Sequence, residues 1–280
     1  MDLGDFPGGG DAEGLGGRLR ALWAAAVRAA REELDGEVLM ERLGASKVSW
    51  NLVTVGIVLV AWLAGFTVVG GYLVPGALNT LGVDRFSMTM RSTAVMHLLI
   101  DLWQCLYTIA LLWFVLRQHK PRRLGLFPVS LKLRTWLPYV LVGIGSFPCV
   151  EAMANAGALI FPEETDSWAQ GLGETLLSCY PVTAAAYFLV VSVCAPLWEE
   201  VMFRGFLMPS FAKYFRVPGA AVASALLFSM AHFSLSRSLP LTLLGVVIGV
   251  LFAASRNLTT AVALHAAWNF WVLITIGSRL

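Results

Sequence analysis

Apolar residues run along this chain in long stretches that exclude charge. Residues 48–74 contain no Asp, Glu, Lys or Arg; residues 92–116 are interrupted only by Asp101, and residues 135–162 only by Glu151. Residues 175–198 run straight into Glu199-Glu200, residues 217–231 end at His232, and residues 238–255 and 257–278 complete the set. A helix needs roughly 20 apolar residues to cross about 30 Å of hydrocarbon. A closed barrel would instead show alternation over segments of about 10 residues. These runs are continuous, so the pattern predicts an all-α, polytopic transmembrane helical bundle of seven spans, or eight if the third region breaks in two.

The remaining segments give the expected organisation. Residues 1–17 are rich in glycine and acidic residues and read as a disordered tail, without the n-region and h-region of a signal peptide. In residues 18–46, Leu19, Leu22, Trp23, Ala26, Ala30 and Leu34 recur at helical spacing among arginines. That pattern suits a helix lying on the membrane surface. Residues 48–162 form a first region of three spans, and residues 175–278 a second of four. The loop 117–134 carries Arg117, Lys120, Arg122, Arg123, Lys132 and Arg134, whereas the loop before residue 175 carries Glu163, Glu164, Asp166 and Glu174. The basic side is expected to face the cytoplasm or its equivalent, with the N-terminus inside and the C-terminus outside.

Composition sharpens the picture. The 280 residues are 58% hydrophobic and 14% charged, against about 45–50% and about 25% for a soluble domain. A net charge of +2 points to no nucleic-acid partner. Cys105, Cys149, Cys179 and Cys194 each lie inside an apolar run with no ligand spacing, so they read as small core residues rather than a disulfide or zinc framework.

An ionisable side chain at membrane depth costs several kcal/mol, on the order of 3 on insertion scales, and needs a partner and a purpose. Glu199, Glu200 and Arg204 lie on the fourth run. Glu200 and Arg204 are i and i+4 and can pair on one helix face; Glu199 lies about 100° round the helix. The helix is expected to run to Met208, before Pro209. His232 ends the fifth run, and His265 and Asn269 are i and i+4 on the seventh. At 1.5 Å per residue the carboxylates fall about 14–15 Å deep, His265 and Asn269 about 12–18 Å and His232 about 22 Å. Each feature alone has a structural explanation; three helices bringing them to one slab of the bilayer suggest a catalytic inventory. Asp101 and Glu151 have no partner in sequence and could line the same cavity or pair with each other.

Glu-Glu-x-x-x-Arg, then Phe-x-x-x-His, then His-x-x-x-Asn, each on its own transmembrane helix, resembles the CAAX protease and bacteriocin-processing family, which includes type II CAAX prenyl endopeptidases and abortive-infection-like bacterial proteins. Here the motifs are Glu199-Glu200…Arg204, Phe228…His232 and His265…Asn269, and the resemblance covers roughly residues 180–276. It implies an intramembrane endopeptidase acting on a membrane-tethered or membrane-embedded polypeptide, CAAX-type prenyl-protein processing included. The six side chains suit that chemistry. Glu199 can take a proton from water, His232 can orient that water, and His265 and Asn269 can donate to the oxyanion. Arg204 can fix Glu200, which then holds the site's shape.

The resemblance leaves the use of a metal open. Glu199, His232 and His265 make a conceivable two-His-one-carboxylate zinc set. No His-Glu-x-x-His is present, however, and Asn269 is a poor ligand but a good oxyanion donor, so a glutamate-type reaction without a cofactor is favoured. Rhomboid-like and presenilin-like signatures are absent from the spans. The alternative function is a non-catalytic scaffold or chaperone of membrane proteins, as in some relatives from photosynthetic organisms. A transporter would show an internal repeat; none is visible, and Gly245-x-x-x-Gly249 reads as a helix-packing face. The expected partners are the lipid bilayer and a polypeptide substrate that could be lipidated. The sequence Cys194–Trp198 and Ser255–Leu258 is similar to the plant, algal and cyanobacterial branch, which implies a plastid or cyanobacterial-type membrane. The chain's last residues carry no lipidation cysteine.

Overall fold

The computed structural model describes residues 47–83, 88–121, 125–162 and 181–279. The expected tail, the surface helix and the acidic loop before residue 181 lie outside them. The described residues form eight helices and no strand. They are α1 (Leu52–Thr80), α2 (Met90–Leu116), α3 (Leu133–Ile144), α4 (Phe147–Ile160), α5 (residues 181–212), α6 (Val217–Met230), α7 (Ser238–Ser255) and α8 (Leu258–Arg279). The all-α bundle is therefore what the charge-free runs specify.

The runs are not equal as spans. Leu52–Thr80, Arg91–His119, Ser238–Ser255 and Leu258–Thr275 are long and apolar enough to cross a membrane, and α3 and α4 together add a fifth crossing if taken as one bent span. Those two helices meet at 46°. Gly145 and Ser146 break the ladder there, and Pro148, in the first turn of α4, cannot donate a backbone hydrogen bond across the break. Helix α6 has 14 residues, about 21 Å of rise against about 30 Å of hydrocarbon. It stops at the exposed Met230, and that ending places His232.

Helix α5 is the axis of the bundle, with α2, α6 and α8 packed around it. One face buries Trp198, Met202, Phe203 and Phe206 against Val58 and Trp62 of α1 and Leu112 and Leu116 of α2. Around Met208 at its far end, Ala221 of α6, Leu244, Ile248 and Phe252 of α7, and Leu264 of α8 form a second core. The outward faces of α1 and α2 stay apolar, with Val60 70% and Leu106 67% exposed, as suits a lipid solvent that hides no apolar surface preferentially.

Helix α5 also corrects one expectation: Pro209 does not stop it, and the helix continues to Ala212. Two π-helical turns, Val190–Cys194 and Val201–Leu207, interrupt its α-helical register. The second ends just before Pro209, so the proline enters the first turn of the next α-helical stretch, where its missing N–H does little harm. Residues 48–50 dock on this end. Trp50 Nε1 donates to Ser210 Oγ at 2.8 Å, and Lys213 Nζ donates to the Trp50 carbonyl at 2.8 Å.

Candidate active site

The two π turns of α5 flank Glu199 and Glu200 on either side. A π turn leaves backbone carbonyls without their usual i+4 partners, and such turns recur at functional sites. Both are used here. Asn269 Nδ2 donates to the Val191 carbonyl at 2.7 Å, and Ser224 Oγ donates to the Phe203 carbonyl at 2.9 Å. Helix α8 and helix α6 are thereby pinned to α5 on the two sides of the glutamate pair.

Glu200 and Arg204 are fully buried. Arg204 Nη1 donates to Glu200 Oε1 at 2.9 Å, as the i,i+4 spacing predicts. Its Nη2 donates to the Gly245 carbonyl of α7 at 3.0 Å, and its guanidinium carbon stands 4.8 Å from the centre of the Phe228 ring. The glycine at 245 is required: a Cβ there would lie 2.8 Å from Ala225 Cβ and 3.3 Å from Arg204 Nη2. Gly245 and Gly249 are a packing face, as read from the sequence, and Gly245 is also an acceptor in the site.

His265 joins this pair. Its Nδ1 donates to Glu200 Oε1 at 2.7 Å, the oxygen that already accepts from Arg204 Nη1. Its other nitrogen, Nε2, then faces Glu199 Oε2 at 3.9 Å. His232 is fixed by a similar logic. Helix α6 ends at Met230, and the His232 backbone N–H bonds the Ser229 carbonyl at 3.1 Å. His232 Nδ1 donates to the Phe228 carbonyl at 2.8 Å, which leaves Nε2 as the ring's acceptor. That bond accounts for the four-residue offset, which any residue at 228 would satisfy; the Phe228 ring itself stands edge-on to both imidazoles, 4.8 Å from His232 and 5.5 Å from His265.

Glu199, His232, His265 and Asn269 line one cavity of about 280 Å³. Glu200 and Arg204 sit behind its wall. Glu199 is buried, and its Oε2 has no hydrogen-bond partner among the described residues. A buried acceptor left unsatisfied is uncommon and calls for an explanation such as catalysis. Among the described residues no group of three His, Cys, Asp or Glu is arranged to hold a metal ion. His265 and Glu199 approach only to 3.9 Å, and the zinc set conceived from the sequence is not preassembled.

Two further residues stand near the site. Asp101 of α2 accepts a hydrogen bond from Trp198 Nε1 at 3.3 Å, and Arg237 joins Glu199 in lining the cavity. The isolation of Asp101 in an apolar run marks it as a cavity candidate, and it shares a cavity wall with Glu199 and His232, but nothing local in the sequence shows its Trp198 partner. Glu151 is on α4 and does not line the cavity.

Residues 181–271 match the model of a family described as type II CAAX prenyl endopeptidase, Rce1-like. That stretch contains all six candidate side chains and the two π turns. No curated protein and no solved structure matches the chain.

Proposed function

We propose that the chain is an intramembrane endopeptidase of glutamate type, hydrolysing a peptide bond of a membrane-tethered or membrane-embedded polypeptide in the cavity bounded by α5, α8 and the end of α6. The observation that carries this reading is the unpartnered, buried Glu199 Oε2 at the wall of a cavity it shares with His232, His265 and Asn269. The family match supports the same chemistry, CAAX-type processing included.

The hydrogen-bond pattern supports one task for each group. A water in the cavity gives one hydrogen to the Glu199 carboxylate and the other to His232 Nε2, so its lone pair is aimed at the substrate carbonyl. Glu199 takes the proton as the water oxygen bonds to that carbon. The oxyanion that forms is met by the second N–H of Asn269, the first being held on Val191, and by His265 Nε2–H when that ring carries both protons. Glu199 then returns its proton to the leaving nitrogen as the C–N bond breaks. Glu200 and Arg204 do not touch the substrate; they position His265.

A scaffold function is the rival, and one variant separates the two. Glu199→Gln keeps the shape of the site and removes the base. In cells lacking the gene, the variant is expected to accumulate normally in the membrane and fail to restore function. Full rescue by Glu199→Gln would assign the chain to the scaffold class.

A further inference from the structure

Glu199 and His232 belong to two cavities. The second, also about 280 Å³, is walled by Trp62 and Phe66 of α1, Trp198 and Phe203 of α5, and Phe233 after α6, with the Asp101 carboxylate of α2 among them. Its rings interlock: Trp62 and Trp198 are 5.8 Å apart, Phe66 and Trp198 6.3 Å, and Trp62 and Phe203 5.8 Å. The reaction outlined above uses none of these side chains.

Charge decides what the cavity takes. Asp101 stands within a membrane helix, where a carboxylate is costly and is kept for a partner. Its described hydrogen bond comes from a neutral indole. No Lys or Arg is among the residues described as lining this cavity. Both Nη groups of Arg204, behind Glu199, are held by Glu200 and the Gly245 carbonyl. An apolar side chain would fill the aromatic walls but leave the carboxylate unpaired. An acidic one would be repelled. A lysine or arginine lays its aliphatic stem along the walls and its charge at Asp101, with the ring faces adding cation–π attraction.

Resting on the proteolytic reading, we infer that this aromatic cavity is a specificity subsite that receives a basic side chain of the substrate, adjacent to the bond that Glu199 attacks, with Asp101 as the counter-ion. The cavity opens directly on Glu199 and His232, so the recognised residue flanks the scissile bond.

The test uses the full chain in lipid nanodiscs with paired single-span peptides that differ only in lysine against norleucine, the substituted position stepped along the peptide. At one register the lysine peptide is expected to be cleaved with a kcat/KM about ten-fold above its norleucine twin. Asp101→Asn is expected to bring that ratio to about one, and Asp101→Glu to keep it. Binding of the same pairs, read from intrinsic tryptophan fluorescence, reports on the cavity without turnover. A lysine preference in binding that Asp101→Asn abolishes sustains the subsite even if no peptide is cleaved, and in that case the proteolytic reading alone fails. A wild-type protein with no lysine preference in cleavage or binding overturns the inference, whether or not Asp101→Asn folds. A preference unchanged in folded Asp101→Asn overturns it as well.

Discussion

His265 and Glu200 are joined at 2.7 Å through the Oε1 oxygen that also receives the Arg204 guanidinium. One buried carboxylate oxygen thus fixes the hydrogen position and the orientation of the imidazole that faces Glu199. Glu200→Gln replaces the carboxylate with a neutral amide, whose single oxygen is a weaker acceptor, and loosens both bonds. The expected result is a fall in kcat of about 10²–10⁴-fold, the range for losing a positioned acid–base group, with KM changed much less. A purely structural Glu200 would instead lower the unfolding temperature and leave kcat per folded molecule intact. Single-turnover kinetics beside thermal unfolding separates the two.

Arg204 carries the opposite expectation. Removing one partner of a fully buried ion pair leaves the other charge uncompensated, at a cost of about 3–5 kcal/mol, whereas removing both can be near neutral. Arg204→Met is therefore expected to be strongly destabilising. Adding Glu200→Gln to it is expected to recover part of the loss, without recovering activity. Strictly additive losses in denaturation of the detergent-solubilised protein would mean that the pair is not coupled.

Gly245 and Gly249 differ in how tightly they are packed. A Cβ at 245 would come within 2.8 Å of Ala225 Cβ, and one at 249 within 3.3 Å of Ala221 Cβ. Overpacking costs about 1–3 kcal/mol, so Gly245→Ala should fall in that range and exceed Gly249→Ala. Because Gly245 also holds Arg204, only its substitution should lower the rate per folded molecule. Equal effects at the two positions, in stability and in rate, would remove Gly245 from the site.

Part of this site was legible in the sequence, and the division is physical. The Glu200–Arg204 pair follows from helical spacing alone, and the convergence of Glu199, His265 and Asn269 follows from counting residues down from the helix ends. Those are local or one-dimensional quantities. The His265–Glu200 bond, the Gly245 carbonyl under Arg204 and the Trp198–Asp101 contact join residues far apart in the chain, and no pattern along one helix encodes them. The π turns escaped for another reason: they change the register of α5 by a residue within a run that stays uniformly apolar. Pro209 reads as a terminator only if an unbroken α-helical ladder lies ahead of it, and the π turn at Val201–Leu207 removes that ladder. The short α6 reads as a span because its composition, unlike its length, matches one.

Asn269 tests whether the α5 π turn serves the chemistry. One of its amide hydrogens is committed to Val191, so the other is held towards the cavity. Asn269→Ala removes both the anchor and the oxyanion donor. Loss of one such donor costs about 10²–10³-fold in kcat, and that is the expected fall. Asn269→Asp keeps the volume but supplies no N–H for either role, and is expected to be as inactive as alanine. An aspartate variant that retains near-wild-type turnover would show that Asn269 donates nothing to the oxyanion.

Activation of water by Glu199 is tested by a census of new protein N-termini. Membranes from cells carrying the wild-type chain or Glu199→Gln, at matched expression, would be compared by N-terminal proteomics. The expected result is a set of neo-N-termini on membrane polypeptides that is present with the wild-type chain and absent with Glu199→Gln, while the variant protein stays folded and inserted. The same neo-N-termini at wild-type abundance with folded Glu199→Gln would contradict it.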